Sequence, residues 1–486
     1  MLFNSYVFIL AFLPVVWVLY FGLNKLKWYK AATWALVLAS LFFYGFNNWK
    51  FCLVLIASIV VNFVLHRVLL YLEQGRKFIL VLGIAANVGL LFYIKYTDFF
   101  LENVNALFGL SFPMQNILLP LGISFYTFQQ LSFVVDSYRK DTQKYSFGEY
   151  ALFVSFFPQL IAGPIVLHSD MVPQFRDMAR RKLNAANIYD GLQYFTLGLA
   201  KKVLVADTFG RAVDWGYSNI MELNALSAIV LILGYTIQIY FDFSGYCDMA
   251  MGLGKLFNFD IAINFNSPYK AKSVGEFWDR WHMTLTKFFT TYVYIPLGGS
   301  RKGLTRTCIN TMIVFFISGF WHGADWTFVV WGVMHGTVLV LERLFVKPLA
   351  KVPGFIKWLY TFCFVNFAWV FFRADFFRQV LSVFKRALLG EGGSVVLEMR
   401  QEFAGEGLNN LLSQVQGMGN VTDMWNQIAI WLWFGVVSII MFFGKNTHEI
   451  VGQKKTSSLY IYGLAVLALL SMISLADVSK FLYFNF

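Results

Sequence analysis

The sequence has little charge and few cysteines. Only 14% of its 486 residues are charged, whereas a soluble domain carries about 25%, so this chain cannot cover itself with a water-facing surface. That shortage excludes a cytosolic enzyme of several domains and a disordered protein. The four cysteines lie far apart with no Cys-x-x-Cys spacing, which argues against a disulfide framework and a zinc site.

Several motifs with known chemistry are also missing. The chain has no His-Glu-x-x-His, no Gly-x-Ser-x-Gly, no P-loop and no Gly-x-Gly-x-x-Gly, so we expect no metal and no cofactor. Residues 1–24 carry no charged side chain, although a secretory signal begins with a basic region. The first apolar run is therefore expected to remain in the protein as a membrane span.

Apolar residues make up 58% of the chain, and they occur in long runs. A helix needs about 20 predominantly apolar residues to cross a bilayer. We therefore predict an all-α, polytopic membrane protein with about 11–12 transmembrane helices, re-entrant segments and short interfacial helices. The predicted spans are 6–23, 31–48, 51–71, 78–95, 116–135, 188–210, 225–245, 326–342, 357–373, 426–444 and 457–476.

Two apolar stretches are less regular. Residues 148–167 contain Pro158 and Pro164, which cannot both lie inside one unbroken helix. We predict a re-entrant hairpin or broken helix there, shielded by protein. The second stretch, 307–322, is short for a span.

The basic residues predict the topology. With the N-terminus outside, the loops on the inner side hold most of the 39 lysines and arginines, as the positive-inside rule requires. These inner segments are 24–30, 66–77, 136–147, 168–187, 246–306, 343–356 and 445–456. Both termini are then expected on the non-cytoplasmic side of the membrane. Residues 375–389 have the pattern of an amphipathic surface helix, and their side is left open. The net charge of +12 thus records topology, and no nucleic-acid partner is expected.

The longest inner segment, 246–306, is rich in both aromatic and charged residues. It fits either a pair of interfacial helices with an aromatic belt or a cytoplasmic mouth of short helices where a soluble donor enters. Its basic residues Lys270, Lys272, Arg301, Lys302 and Arg306 have two explanations as well, positive-inside charge or a site for the donor's phosphates.

The six histidines differ in position. His66 and His448 lie at span ends and His168 follows the broken hairpin, where an interfacial or structural role suffices. His335 lies within a span, where function and interhelical hydrogen bonding are both open. His322 follows Arg306 by 16 residues, which places it about 24 Å deeper on a straight helix. An imidazole there suits proton transfer, in an enzyme or in a transporter relay.

The chain resembles the membrane-bound O-acyltransferase superfamily, and more closely its alginate O-acetylation branch. The resemblance rests on ordered motifs: Leu119–Gln129, Phe156–Pro164, Gly198–Lys202, Phe243–Tyr246, Asn264–Asn266, Glu276–His282, Tyr294–Gly299 and Trp321–Ala324. Relatives of this branch include the D-alanyl transfer protein of teichoic acid modification. Beyond about residue 380 only the hydrophobic character matches.

The resemblance implies one acyltransferase domain over 1–486, with N-terminal helices 1–111, a catalytic core 112–345 and C-terminal helices 346–486. It implies that His322 is the catalytic base or acyl relay and that His282 is the second histidine. Candidate substrate or donor contacts are Trp321, Trp326, Asp325, Arg280, Trp278, Tyr294, Asn266, Ser244 and His335. The family's Trp-x-Arg-Asp-Tyr is Phe288–Tyr292 here, which lacks the Arg-Asp pair.

The implied reaction moves an acyl group from a cytoplasmic thioester, acetyl-CoA or an acylated carrier protein, across the inner membrane for O-acetylation of an exopolysaccharide such as alginate. Trp321 and Trp326 would exclude water from the site. A periplasmic acetyltransferase is the expected partner, and the acidic loop 391–425 is a candidate docking surface. Lys201, Lys202 and Asp207 are expected to be structural charges. D-alanyl transfer to teichoic acid and a histidine-based secondary transporter are the alternatives.

Overall fold

The computed structural model describes residues 1–404, 419–476 and 481–482. Within these ranges the chain is helical, and its only strand-like pairing is an isolated bridge between Phe265 and Trp281. Eight of the described helices are long and apolar enough to cross a membrane. The predicted all-α polytopic fold is confirmed.

The α-helices fall into long crossing segments and short connecting ones. They are α1 (Leu13–Lys25), α2 (Tyr29–Gly45), α3 (Lys50–Tyr71), α4 (Arg76–Phe108), α5 (Ile123–Arg139), α6 (Phe147–Ser155), α7 (Phe157–Leu160), α8 (His168–Arg176), α9 (Ala185–Ala200), α10 (Asp207–Ser218), α11 (Ala225–Leu256), α12 (Val274–Arg280), α13 (Met283–Phe289), α14 (Gly303–His322), α15 (Trp326–Leu344), α16 (Val346–Ala350), α17 (Gly354–Arg373), α18 (Phe377–Leu389), α19 (Leu397–Ala404), α20 (Gly419–Phe443), α21 (Thr447–Gly452) and α22 (Ser458–Ile473). Wider π-helical turns precede α1 (Val7–Phe12), join α9 to α10 (Lys201–Ala206) and follow α13 (Thr290–Tyr294).

Several boundaries differ from those predicted. Helix α4, for example, continues to Phe108, beyond the predicted end at residue 95. The span predicted at 116–135 becomes helical only at Ile123, because Pro120 and the left-handed Gly122 (φ 72°) precede it. The segment 307–322 is the end of a regular 20-residue helix, α14. Residues 246–256, assigned to the inner segment, instead continue the spanning helix α11.

The predicted break at 148–167 is confirmed. Helix α6 ends at Ser155, and α7 is a single turn with Pro158 near its start, where a missing N–H costs nothing. Residues 164–167 have no regular secondary structure before α8 begins. The segment is buried within the bundle, which is the only setting where non-helical backbone is tolerated at membrane depth.

The loops collect at two ends of the bundle. The loops predicted to be inner contact one another: Arg180 pairs with Asp260 at 2.8 Å, and Asn446 donates to Asn266 at 3.0 Å. We call this the basic end. At the opposite end, Arg373 pairs with Asp214 at 2.7 Å.

The amphipathic segment lies at that opposite end as α18. Val380 and Val383 are buried, whereas Leu381 and Leu388 are exposed. The backbone N–H of Ala225, at the start of α11, donates to the carbonyl of Glu391 just after α18. The charge count left open the side on which residues 375–389 lie. The structure places them at the end opposite the basic end, with residues 219–225.

The buried lysines are paired. Lys202 Nζ lies 2.6 Å from Asp242 and 2.8 Å from Asp207, and Lys201 Nζ lies 2.7 Å from Asp248. Each ammonium is thus neutralised inside the bundle, as a buried charge requires. These pairs tie the π-turn between α9 and α10 to α11.

Two glycines fix the position of α14. A Cβ on Gly319 would lie 2.4 Å from the carbonyl oxygen of Phe328, and one on Gly332 would lie 2.3 Å from that of Phe315. Helices α14 and α15 therefore touch backbone to backbone, which small residues permit in membrane bundles. This contact sets the end of α14, where His322 lies.

Candidate active site

His322 is the last residue of α14 and is buried. Its ring is surrounded by aromatic rings from three helices, with centroids 4.8 Å from Trp321, 5.1 Å from Trp331 and 5.0 Å from Phe372. The predicted location at the far end of the helix is thus correct. A ring so enclosed is held in one orientation and shielded from bulk water.

Lys95 on α4 holds the backbone of His322. Its Nζ donates to the carbonyl of Trp321 at 2.7 Å and to that of His322 at 2.9 Å, which are carbonyls that a helix end leaves without a partner. The neighbouring Tyr96 hydroxyl donates to the carbonyl of Phe320 at 2.7 Å. Sequence reasoning missed Lys95, although a lone lysine at the end of a predicted span was a usable signal.

His335 lies on α15, one turn after Trp331. Trp331 contacts both imidazoles, with centroids 5.1 Å from His322 and 4.8 Å from His335. The indole Nε1 of Trp278 donates to His335 Nδ1 at 3.2 Å. An indole N–H can only donate, so Nδ1 is an acceptor and a neutral His335 carries its proton on Nε2.

His282 immediately precedes α13 and has a left-handed conformation (φ 46°). Its Nδ1 lies 3.1 Å from Asn264 Oδ1, and this same oxygen accepts from the backbone N–H of Thr284 at 3.2 Å. Because that backbone group can only donate, the Asn264 atom must be the oxygen, and His282 Nδ1 must carry the proton. Burial lowers the pKa of His282 to about 3, so it is a neutral imidazole with its lone pair on Nε2.

The three histidines belong to one site. His282, Lys95 and His335 lie close enough to His322 to act on it electrostatically. Phe125 on α5 links the two catalytic candidates, with its ring 6.4 Å from His282 and 5.6 Å from Trp321. The structure therefore brings together His322, His282, His335, Trp321 and Trp278.

A cavity of about 350 Å³ leads towards this cluster. Trp278 and Ser318 line its inner part, and Tyr294, Ser300 and Arg343 line its basic end. Ser318 precedes His322 by one helical turn, about 6 Å along α14. The wall formed by α12 is fixed by Glu342, whose carboxylate accepts from the N–H groups of Val274 at 2.7 Å and Gly275 at 3.1 Å.

Two of the predicted site residues at the corner between α14 and α15 lie away from the histidines. Trp326 is 52% exposed and donates to Asn103 Oδ1 at 2.9 Å, so it packs on α4 and does not surround His322. Asp325 accepts from the backbone N–H of Thr327 at 2.7 Å. That bond caps the start of α15, which explains an aspartate at this position.

Three further candidates belong to the inner segment or to α11. Arg280 pairs with Glu276 at 2.9 Å, and Asn266 accepts from Asn446. Ser244 is buried on α11 next to Phe243, whose ring lies 4.8 Å from His282. The Ser244 hydroxyl has no hydrogen-bond partner among the residues described.

The basic residues predicted at the mouth do not line the cavity. Lys270 Nζ donates to the carbonyl of Gly444 at 2.6 Å, and Arg306 donates to that of Leu297 at 3.1 Å. The cation on the cavity wall is instead Arg343. Tyr292, in the segment that lacks the family's Arg-Asp pair, donates to Asp136 at 2.7 Å.

Comparison with known proteins gives the family of this chain. The family model of MBOAT, the membrane-bound O-acyltransferase family, matches residues 47–378. A peptidoglycan O-acetyltransferase of Helicobacter pylori is 40% identical over 100% of this chain and 98% of its own length. A protein of Pseudomonas aeruginosa named "Probable alginate O-acetylase AlgI" is 37% identical over 77% of this chain and 72% of its own length. A teichoic acid D-alanyltransferase of Bacillus subtilis is 24% identical over 55% of this chain and 72% of its own length.

The family match spans more than half of the chain and includes α4, α12, α14 and α15, which build the histidine cluster. The relative from Helicobacter pylori also covers the helices after residue 378, where sequence analysis found only a shared hydrophobic character. This finding favours an enzyme over the secondary transporter, which the sequence had left as an alternative. The chain belongs to the membrane-bound O-acyltransferase family and is a membrane-bound O-acyltransferase.

Proposed function

We propose that this enzyme transfers acetyl groups for O-acetylation of an exported polysaccharide, with peptidoglycan as the preferred polymer. The choice of peptidoglycan rests on how much of the chain aligns with each relative. The peptidoglycan O-acetyltransferase of Helicobacter pylori aligns with the whole chain at 40% identity. The alginate O-acetylase relative aligns with 77% of it.

In this proposal the basic end faces the cytoplasm, and both termini belong to the periplasmic side. The charge bias of the loops supports that orientation. The donor, an acetyl thioester such as acetyl-CoA, enters the cavity beside Arg343 and extends past Trp278 towards Ser318. The size of the cavity, about 350 Å³, lies within the usual range for small-molecule sites of about 300–1,000 Å³.

His322 is proposed as the general base of the transfer. It accepts the proton of the acceptor hydroxyl as that oxygen attacks the thioester carbonyl carbon, so a C–O bond forms. When the tetrahedral intermediate collapses, the C–S bond breaks and the leaving thiolate takes the proton back from the imidazolium. The products are an acetyl ester and a free thiol, and no oxidant or reductant is needed.

Trp331 is proposed to stabilise the oxyanion of that intermediate. Its ring contacts His322, its side chain is buried, and its indole N–H has no acceptor among the described residues. A preorganised donor inside a dry site is the type of group that stabilises developing negative charge. The aromatic rings of Trp321 and Phe372 would limit hydrolysis of the thioester.

The acceptor hydroxyl is proposed to be presented at the opposite end, on a periplasmic acetyltransferase partner or on the polymer itself. Residues 391–404 of the candidate docking loop 391–425 lie at that end. Of its acidic residues, Glu402 pairs with Arg211 at 3.0 Å and Glu391 contacts the start of α11 through its carbonyl. Residues 405–418, including Glu406, lie outside the described part of the chain.

Replacement of His322 by alanine tests the function. The acetate released by mild base from purified peptidoglycan should fall to background, while the amount of peptidoglycan stays normal. The matched control is His448→Gln. His448 is an exposed histidine outside the site, and its ring forms a 2.7 Å hydrogen bond with the Tyr194 hydroxyl. Wild-type acetylation with His322→Ala at equal membrane abundance would refute the proposal.

Alginate is the second candidate polymer, because the relative named alginate O-acetylase is 37% identical. The same pair of variants separates the two candidates when acetate is measured on both polymers from one culture. Loss of acetyl groups from an exported uronate polymer, with peptidoglycan acetylation unchanged, would favour alginate. D-alanyl transfer is supported less, since its relative aligns with only 55% of this chain.

A further inference from the structure

A second cavity lies at the basic end, away from the histidine cluster. It measures about 550 Å³ and opens between the end of α1 and the linker that joins α8 to α9. Its lining is divided by chemistry. Trp17, Val18 and Phe21 of α1 form an apolar part, and Leu183 of the linker adds to it.

The other part of the cavity is strongly basic. Lys25, Lys27, Arg181 and Lys182 line it, and no carboxylate of the described chain does so. The three lysines are exposed, and none of them forms an ion pair within the described residues. Four cations without a counter-charge repel one another, so an anion that binds between them would be stabilised.

Arg181 is held in place by several hydrogen bonds. It donates to Asn24 Oδ1 at 3.1 Å and to the carbonyls of Tyr29 at 3.3 Å and Phe175 at 2.8 Å. Its guanidinium carbon also lies 5.5 Å from the centre of the Tyr29 ring. All these partners are neutral, so its positive charge is held in place at the cavity without being cancelled.

The neighbouring side chains place the cavity at the level of the membrane surface. Leu26 and Trp28, in the turn between α1 and α2, are more than half exposed, and such aromatic and apolar residues mark the headgroup region. Val18, two turns deeper on α1, is also exposed. The cavity is therefore basic at headgroup depth and apolar towards the hydrocarbon.

We propose that this cavity binds one anionic phospholipid, with its phosphate between Lys25, Lys27, Lys182 and Arg181 and an acyl chain along Trp17, Val18 and Phe21. Basic pockets between transmembrane helices are suited to anionic headgroups, and guanidinium and ammonium groups form strong charge-assisted bonds to phosphate. The apolar floor distinguishes a lipid from a soluble phosphate, which would use only the basic part.

Gly22 allows a test that leaves every charge in place. It lines the cavity, and a Cβ at this position would meet nothing within 4 Å. Gly22→Phe should therefore fill the apolar part without disturbing α1. Its matched control is Gly435→Phe on α20, where a Cβ also meets nothing within 4 Å and which does not line the cavity.

The charge test uses the triple variant K25Q/K27Q/K182Q. Its control, K140Q/K347Q/K351Q, removes three exposed lysines from the same end of the bundle, outside the cavity. Native mass spectrometry of the full chain in detergent would count bound lipid after addition of equal phosphatidylglycerol and phosphatidylcholine. Thermal stability in the same detergent would identify any variant that fails to fold.

The wild-type chain should retain one phosphatidylglycerol in preference to phosphatidylcholine. Gly22→Phe and the cavity triple variant should each reduce that adduct several-fold, whereas both controls should retain it. Equal losses in the two triple variants, or no loss with Gly22→Phe, would show that bulk charge and not a shaped site attracts the lipid. Displacement of the lipid by equimolar glycerol phosphate would show an anion site that does not recognise a lipid, and would also overturn the proposal.

Discussion

Replacement of Lys95 by methionine should slow acyl transfer markedly while the bundle stays folded. The ammonium donates to the last two carbonyls of α14, at 2.7 Å on Trp321 and 2.9 Å on His322. Methionine matches the lysine side chain as far as Cε, but it has no ammonium and cannot donate. The two carbonyls then lose their partners, and the end of α14 gains freedom at the residue proposed to be the base.

The magnitude follows from the two lost bonds. A hydrogen bond to a charged group contributes about 1.5–3 kcal/mol in soluble proteins, but interhelical bonds in membranes average about 0.6 kcal/mol and reach about 1.7. Two bonds are therefore expected to contribute about 1–3 kcal/mol in total. Since about 1.4 kcal/mol corresponds to a tenfold change in rate, the expected loss is about 5- to 150-fold.

Two variants separate positioning from general loosening. Lys95→Arg retains a charged donor able to reach both carbonyls and should keep most of the activity. Tyr96→Phe removes the neighbouring bond to the carbonyl of Phe320, two residues before His322, and should have a smaller effect. The assay is the initial rate of acetyl transfer in membrane vesicles supplied with acetyl thioester, normalised to folded protein. A wild-type rate for Lys95→Met, or equal losses for Lys95→Met and Tyr96→Phe, would refute the reasoning.

Three further predictions concern the rest of the site. Asn264→Leu should reduce transfer at least about tenfold, because His282 loses the acceptor that fixes its tautomer. Asn264→Asp keeps an oxygen at this position and should retain more activity. The test is the transfer rate of the two variants at equal abundance. Ser318→Phe should block the inner part of the cavity, so that thioester-dependent transfer falls while the melting temperature stays within a few degrees of wild type; unchanged transfer would exclude the cavity as the donor route. As the pH falls below about 6.5, the unfolded chain protonates His282 whereas the folded chain, with a pKa of about 3, does not. The free energy of unfolding should therefore decrease by about 1.4 kcal/mol per pH unit through this histidine, and His282→Gln should lessen the decrease measured between pH 6.5 and 5 in detergent.

The fold and the position of His322 at the far end of its helix could be predicted from the sequence because their signals are local. Runs of apolar residues, two prolines in one stretch and a distance along a single helix were enough to predict the spans, the broken segment and the depth of His322. The contacts that complete the site are not local. Lys95 meets His322 across 227 positions, and Asn264 meets His282 across 18. Nor could a count of charges show that Arg343 lines the cavity while Lys270 and Arg306 bind backbone carbonyls.

The lengths of the helices around His322 explain how one residue can be reached from both ends of the bundle. Helix α14 has 20 residues, which is about 30 Å, so His322 lies a full membrane thickness from Gly303 at the basic end. Helix α4 holds His322 at Lys95 and then continues for 13 more residues to Phe108, about 20 Å further. The chain returns from there to α5 without a helix, and α5 begins beside Tyr44, whose hydroxyl donates to the carbonyl of Leu121 at 2.8 Å. From the basic end, the cavity proposed for the donor reaches Ser318, one turn short of His322. A donor and an acceptor approaching from opposite ends would therefore meet at the same imidazole without any spanning helix having to tilt, which distinguishes this arrangement from the rocking motions of secondary transporters.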